Sequence, residues 1–142
     1  MTISVLTIDD DTAITELLAL ILKTYNFEPL VANSGEEGLR IIREKLPKIV
    51  LLDLMMPKMD GWQVCKSIRE FSSVPILVLS ALDDPTLVAS ILDTGADDYL
   101  VKPVPSAELV AHLNKLARRT GGLALPIPES PGWRPDSNPV TS

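Results

Sequence analysis

Short apolar segments alternate with amphipathic segments five times within the first 120 residues, and this alternation limits the chain to one class of fold. Ile3–Ile8, Lys48–Asp53 and Ile76–Ser80 are short and rich in β-branched and leucine residues, which is typical of buried strands. The segments between them repeat apolar residues at intervals of three and four, which is typical of helices. Strands that alternate with helices at this spacing predict a parallel sheet with helices on both faces.

Two further strands, Phe27–Ala32 and Tyr99–Lys102, complete the predicted set of five. Pro29 lies inside the second strand and has no N–H to give to a ladder, so we expect that strand at an edge of the sheet. We expect the second helix to begin after a cap at Ser34, to bury Leu46 and to stop before Pro47. The other helices are predicted over residues 13–25, 62–71, 85–92 and 107–119, with Thr12 and Ser106 as caps of the first and last.

Length and composition limit the number of domains and the cellular environment expected for this chain. A length of 142 residues suits one domain, predicted over residues 1–120, and residues 121–142 hold five of the twelve prolines and read as a flexible tail or an interdomain linker. The single cysteine, Cys65, permits no intrachain disulfide and favours a cytoplasmic setting. A net charge of −6 argues against direct nucleic-acid binding, and no apolar run is long enough for a membrane span.

Reactive side chains collect where the predicted strands end. Asp9 and Asp10 follow the first strand, Asp53 ends the third, Ser80 the fourth and Lys102 the fifth. The carboxyl ends of parallel strands meet at one edge of a sheet, so three carboxylates would repel one another there unless a cation lies among them. Oxygen ligands of this kind suit Mg²⁺. An amine and a hydroxyl beside them suit a phosphoryl group accepted by an aspartate nucleophile.

With these residues, the segments Leu52–Gly61 (LDLMMPKMDG), Gly95–Tyr99 (GADDY) and Lys102-Pro103 make the chain resemble the receiver domain of two-component response regulators, over about residues 3–120. The resemblance implies a flavodoxin-like (βα)5 doubly wound parallel sheet in the order 2-1-3-4-5. That order puts the second strand at an edge, in agreement with Pro29.

The resemblance also assigns roles at the strand ends. Asp53 is implied to be the phosphoacceptor, and Mg²⁺ is implied to bind Asp9, Asp10, Asp53 and the backbone carbonyl of Met55. Lys102 is implied to pair with the phosphoryl group. The plainer interpretation of Asp53, as a cap of the following turn, stays open at this point.

Four positions around this set are implied to govern switching and the lifetime of the phosphorylated state. Ser80 would meet the phosphoryl group and Tyr99 would be the aromatic switch residue, although Tyr99 could also be a simple core residue. Met55 and Leu82 would flank the water that hydrolyses the phosphorylated aspartate. Because neither side chain can orient a water molecule, we expect that state to be long-lived.

The function implied is that of a phosphorylation-dependent signalling switch. A sensor histidine kinase would supply the phosphoryl group. The face formed by the fourth helix, fifth strand and fifth helix would then control an output. That output is expected to be transcription, because the chain resembles receivers attached to winged-helix DNA-binding modules. The alternative is a stand-alone receiver that acts through protein–protein interaction or a phosphorelay. The chain would be no enzyme beyond self-catalysed phosphotransfer and slow autodephosphorylation, and would form at most a modest homodimer on phosphorylation. His112, at a position where such receivers usually have arginine, is otherwise expected at the surface.

Other functions fit the residues less well. A haloacid-dehalogenase-type enzyme would have a second aspartate two residues after the nucleophile, where this chain has Met55. A flavodoxin-like carrier would have a Ser/Thr/Gly-rich phosphate loop after the first strand, where Asp9, Asp10 and Asp11 would repel a phosphate. A degenerate pseudo-receiver is disfavoured by the complete acidic set. Asp11 itself is expected to be a loop or helix-cap acid.

Overall fold

The computed structural model describes residues 2–119, and five parallel strands form its single sheet. The strand order is 2-1-3-4-5, so the flavodoxin-like fold predicted from the sequence is confirmed. The strands are β1 (Ile3–Ile8), β2 (Phe27–Ala32), β3 (Ile49–Leu52), β4 (Ile76–Ser80) and β5 (Asp98–Val101). The helices are α1 (Thr12–Thr24), α2 (Gly35–Lys45), α3 (Gly61–Arg69), α4 (Pro85–Thr94) and α5 (Ser106–Arg119).

The sheet separates two hydrophobic cores, one on each face. Every residue of β3 and β4 is buried, because both faces of these central strands are covered by helices. Alternate residues of a strand face opposite sides, so Val50 joins one core and Leu51 the other. The first core includes buried residues of α2, α3 and α4, and the second includes those of α1 and α5. The two layers of helices therefore rest on separate sets of side chains.

β2 lies at one edge of the sheet, paired only with β1, with Pro29 beside Val5 in the register. The edge position predicted from Pro29 is confirmed. The tail predicted for residues 121–142 lies outside the described residues. In the part of the chain that the structure describes, no helix has both the length and the apolar character needed to cross a bilayer.

Helix ends differ from the sequence prediction in small ways that have clear causes. The cap of α1 is Asp11, whose carboxylate accepts hydrogen bonds from the N–H groups of Ala13 at 2.9 Å and Ile14 at 3.4 Å. Thr12 is the first residue of the helix, so its assignment as the cap is wrong and that of Asp11 as a cap acid is confirmed. Ser106 is likewise inside α5 rather than before it.

Leu46 is not buried as predicted, because its side chain is 72% exposed. It is the C-cap of α2 and adopts a left-handed backbone conformation with φ of 49°, which turns it away from the buried face of the helix. Phe71 lies beyond the end of α3, at Arg69, and is 39% exposed. Its ring is covered by the guanidinium of Arg43 at 4.2 Å from the centroid.

Candidate functional site

Three carboxylates meet at the carboxyl ends of β1 and β3. These strands are neighbours, with Ile8 beside Leu52, and the N–H of Asp53 donates to the carbonyl of Ile8 at 3.0 Å. Oxygens of Asp9, Asp10 and Asp53 all lie within 4.8 Å of one another. The side chains of Asp9 and Asp53 are mostly buried, whereas Asp10 is exposed, so the cluster is reached from solvent at one side. The structure thus brings together the three acids that the sequence singled out.

Lys102 is the cation that faces this cluster. Its Nζ lies 3.7 Å from Oδ2 of Asp9 and 3.9 Å from Oδ1 of Asp53. The end of β5 is tied to β4, because the N–H of Lys102 donates to the carbonyl of Ser80 at 2.9 Å. The peptide bond between Lys102 and Pro103 is cis. The amine therefore lies between Asp9, the buried acid that follows β1, and Asp53, the acid that follows β3.

Burial dominates the electrostatics of the cluster. It raises the pKa of Asp53, and the charge of Asp9 raises that pKa further, whereas Lys102 and the N–H of Met55 lower it. Burial also raises the pKa of Asp9, against the lowering effect of the Asp11 N–H and of Lys102. Among the described residues, one lysine faces three carboxylates, so net negative charge remains at a mostly buried site.

That donor set fits Mg²⁺. The cation takes oxygen ligands, prefers one or two carboxylates, and keeps positions for water and phosphate oxygens. Asp9, Asp10 and Asp53 provide such oxygens, and the exposed side of the cluster leaves room for the remaining ligands. Met55 follows the cluster in the loop after β3, and its side chain is 59% exposed.

A glycine fixes the path of that loop. The N–H of Gly61 donates to the carbonyl of Leu54 at 3.0 Å, and α3 starts at this residue. A Cβ atom on Gly61 would lie 2.6 Å from Cα of Leu54 and 2.8 Å from the carbonyl oxygen of Asp53. Any larger residue would therefore push the loop that carries Asp53 out of place.

Ser80 and Tyr99 are connected through the backbone of Leu82. The N–H of Leu82 donates to the hydroxyl of Ser80 at 3.2 Å, and the hydroxyl of Tyr99 donates to the carbonyl of Leu82 at 2.7 Å. Ser80 is fully buried, while Tyr99 and the side chain of Leu82 are partly buried against the core beneath α4. Sequence reasoning paired Ser80 with Tyr99 but missed this link, because a backbone contact depends on the path of the loop and leaves no trace in residue type.

Asn33 is a polar neighbour of the cluster that sequence reasoning missed. Its Nδ2 donates to the backbone carbonyl of Asp9 at 2.9 Å and to the hydroxyl of Thr15 at 3.1 Å. The sequence places Asn33 just after β2, and the strand register, Ile8 beside Ala32, is what carries it to the end of β1.

His112 is not the plain surface residue that was expected. Its Nδ1 lies 2.5 Å from Oδ2 of Asp98, and both side chains are about three-quarters buried. The neighbouring acid, Asp97, is also engaged, with Arg69 at 2.9 Å and Arg119 at 3.4 Å. Both acids at the start of β5 therefore have partners within the chain.

Comparison with known proteins gives a consistent match. The family model described as the response regulator receiver domain matches residues 5–114. The "Probable transcriptional regulator ycf27" of Guillardia theta is 42% identical over 84% of this chain and 47% of its own length. The "DNA-binding response regulator MtrA" of Mycobacterium leprae is 42% identical over 81% of this chain and 51% of its own. The chain spans about half the length of these curated relatives.

Solved structures show the same likeness along nearly their whole length. A receiver domain of the Francisella response regulator 1452 has a TM-score of 0.80 and 33% identity, and covers 84% of this chain and 99% of its own. A putative response regulator from Chloroflexus aurantiacus has a TM-score of 0.79 and 34% identity, with coverage of 84% and 100%.

Proposed function

Because the chain belongs to the response regulator receiver family, we propose that it is a switch operated by phosphorylation of Asp53. One observation carries the proposal: Nζ of Lys102 lies within 4 Å of both Asp9 and Asp53, inside the cluster that Asp10 completes. An amine in this place can bind the oxygens of a phosphoryl group carried by Asp53. Signalling is the role of the family, and no metabolic turnover is proposed.

In the transfer, a carboxylate oxygen of Asp53 attacks the phosphorus of a phosphohistidine on a sensor kinase. The P–O bond forms, the P–N bond breaks, and the electron pair of that bond returns to the histidine nitrogen. Mg²⁺ bound by Asp9, Asp10, Asp53 and the Met55 carbonyl would supply positive charge for the phosphoryl oxygens. Lys102 supplies the second positive charge, because its amine already faces Asp53.

Ser80 and Tyr99 would carry the response. The buried hydroxyl of Ser80 can donate to a phosphoryl oxygen while it still accepts from the N–H of Leu82. Any movement of Ser80 therefore pulls on the residue whose carbonyl holds Tyr99. We propose that this link passes the state of Asp53 to α4 and β5.

The output is proposed from the relatives. Two of them are named as a transcriptional regulator and a DNA-binding response regulator, and this chain spans about half their length. We propose that the chain is the receiver portion of a regulator of transcription.

Labelling with a small phosphodonor tests the proposal. With acetyl phosphate and Mg²⁺ we expect the intact mass to rise by one phosphoryl group, and we expect no rise with EDTA or in Asp53→Ala. The matched control is Asp93→Ala, which removes an exposed acid of α4 and is expected to label normally. Equal labelling of Asp53→Ala and the unmodified chain would contradict the assignment.

A further inference from the structure

We propose that Asn33 is a positioning residue for the cation site: it holds the peptide group between Asp9 and Asp10 and thereby aims both carboxylates at Mg²⁺. This inference rests on the proposed function, since it concerns the same site. It adds a residue from the loop after β2, which no motif in the chain marks.

All N–H groups of Asn33 are used. The two hydrogens of its side-chain amide go to the carbonyl of Asp9 and the hydroxyl of Thr15, and its backbone N–H goes to Oε1 of Glu37 at 2.9 Å. The hydroxyl of Thr15 donates its own hydrogen to the carbonyl of Thr12 at 3.1 Å, so it presents only lone pairs to Asn33. The amide is therefore held in one orientation by two acceptors.

The bond to Asp9 matters because of what it fixes. The N–H of Asp9 donates to the carbonyl of Ala32 at 3.1 Å, and its carbonyl accepts from Asn33, so both backbone groups of Asp9 are tied to the end of β2. The peptide group that follows leads directly into Asp10. Because Asp10 is exposed, packing does little to hold it, and the orientation of this peptide group decides where its carboxylate points.

The other end of this arrangement is anchored in α2. Glu37 accepts from the N–H of Asn33, and its own N–H donates to the hydroxyl of the helix cap Ser34 at 3.1 Å. Asn33 thus joins the start of α2 to the loop after β1. Partners that orient the ligands of a metal affect affinity strongly, and their loss typically weakens binding about 10- to 100-fold.

Titration with MgCl₂, followed by NMR shifts of the amides of Asp10 and Asp53, tests the inference. For Asn33→Ala we expect Mg²⁺ to bind about tenfold more weakly. We also expect the amide nitrogen of Asp10 to shift before any metal is added, because that nitrogen shares a peptide group with the released carbonyl. Thr15→Val, which leaves the bond from Asn33 to Asp9 in place, is expected to weaken binding less. Asn114→Ala, at an exposed position on α5, is the matched control and is expected to bind normally.

The possible results distinguish a failure of this inference from a failure of the proposed function. Thermal unfolding in EDTA measures the structural part: a variant that is less stable but binds Mg²⁺ as tightly as the unmodified chain would overturn the positioning role. If Asn33→Ala does not fold, Asn33→Ser replaces it, because the shorter side chain also removes the amide that donates to Asp9, and an Mg²⁺ affinity of Asn33→Ser equal to that of the unmodified chain would overturn the positioning role. Absence of Mg²⁺ binding to the unmodified chain would overturn the proposed function, and the inference with it. Normal Mg²⁺ binding and labelling with no effect of Asn33→Ala would overturn the inference alone.

Discussion

Asp9 and Asp53 both have a raised pKa, and burial is the first cause in each case. A pKa that is higher in the folded chain means that folding favours the protonated form of the acid. The contribution of each acid to the stability of the fold is fully present below its ordinary pKa of 3.8. That contribution is lost as the pH rises through the raised pKa of the folded state. At neutral pH and without metal, the charged cluster therefore works against folding.

We accordingly expect Asp53→Asn to raise the free energy of unfolding at pH 7 in EDTA. Removing one of three charges a few ångströms apart relieves repulsion on the order of 1 kcal/mol. Urea unfolding from pH 4 to pH 8 measures the effect, and the gain is expected to grow with pH across that range. Asp93→Asn, at an exposed position, is the control. A variant less stable than the unmodified chain at pH 7 in EDTA would show that repulsion is not the main force in the cluster.

The proposed Mg²⁺ site has the opposite effect on the same acids. Its ligands come together only in the folded chain, so we expect Mg²⁺ to stabilise the unmodified chain more than Asp53→Asn. Unfolding curves with and without MgCl₂ measure the difference. An identical gain in both proteins would remove Asp53 from the set of ligands.

We expect Met55 and Leu82 to set the lifetime of the phosphorylated state. Met55 is largely exposed, and Leu82 lies partly buried against the core under α4, so neither offers a polar atom to a water molecule approaching Asp53. We expect the double substitution Met55→Asn with Leu82→Glu to speed loss of the phosphoryl group severalfold, because the attacking water would then be held in place. The decay of the phosphorylated chain, measured by mass, tests this. An unchanged rate would leave the two residues as packing only.

Among the five helices within residues 2–119, α4 is the least anchored. It has one buried residue, Ile91, whereas α2, α3 and α5 have four each. A hydrogen bond of 3.2 Å from Nε1 of Trp62 to the hydroxyl of Ser90 joins it to α3. Few buried contacts mean that local opening costs little free energy.

We therefore expect the amides of α4 to exchange with solvent faster than those of α3 and α5. Hydrogen–deuterium exchange followed by NMR measures this, with α3 as the internal reference because it has a similar length. Trp62→Phe is expected to speed exchange in α4 further and to leave α5 unchanged. Protection of α4 equal to that of α3 would contradict the weak anchoring.

Features that depend on neighbouring residues in the sequence could be predicted, and features that depend on distant residues could not. Hydrophobic periodicity predicted the strands and Pro29 predicted the edge position of β2, because both signals lie within the segment itself. Whether Asp11 or Thr12 is the cap depends on a difference of one residue in where α1 begins. The exposure of Leu46 depends on its left-handed backbone conformation. Asn33 was missed because its partners, Asp9 and Thr15, come from other elements.

At the scale of the whole molecule, the sheet divides the chain into two layers. α1 and α5 rest on one core, and α2, α3 and α4 on the other. The acidic cluster lies at the carboxyl edge of the sheet, and the side chains of Leu82 and Tyr99 pack against the core on the α4 side. A change at Asp53 that acts through these two residues is thus directed to one layer.

Assembly is expected to be weak. Asp98 is paired with His112, and Asp97 with Arg69 and Arg119, so the acids at the start of β5 are engaged within one copy. A second copy would have to displace these pairs, and histidine replaces arginine poorly as a bidentate donor. Sedimentation is expected to show a monomer for the unmodified chain and modest dimerisation with beryllofluoride. A tight dimer without it would contradict this.

The small number of contacts that hold α4, one buried residue and one hydrogen bond to α3, also sets how small a change in free energy can move it. One net hydrogen bond contributes about 1 kcal/mol, and about 1.4 kcal/mol changes a ratio of populations tenfold. A bond gained or lost at Ser80 is therefore comparable with what holds α4, but small beside what holds a helix with four buried residues. We therefore expect that a signal worth one or two hydrogen bonds is enough to move α4, while the helices with more buried residues keep their positions.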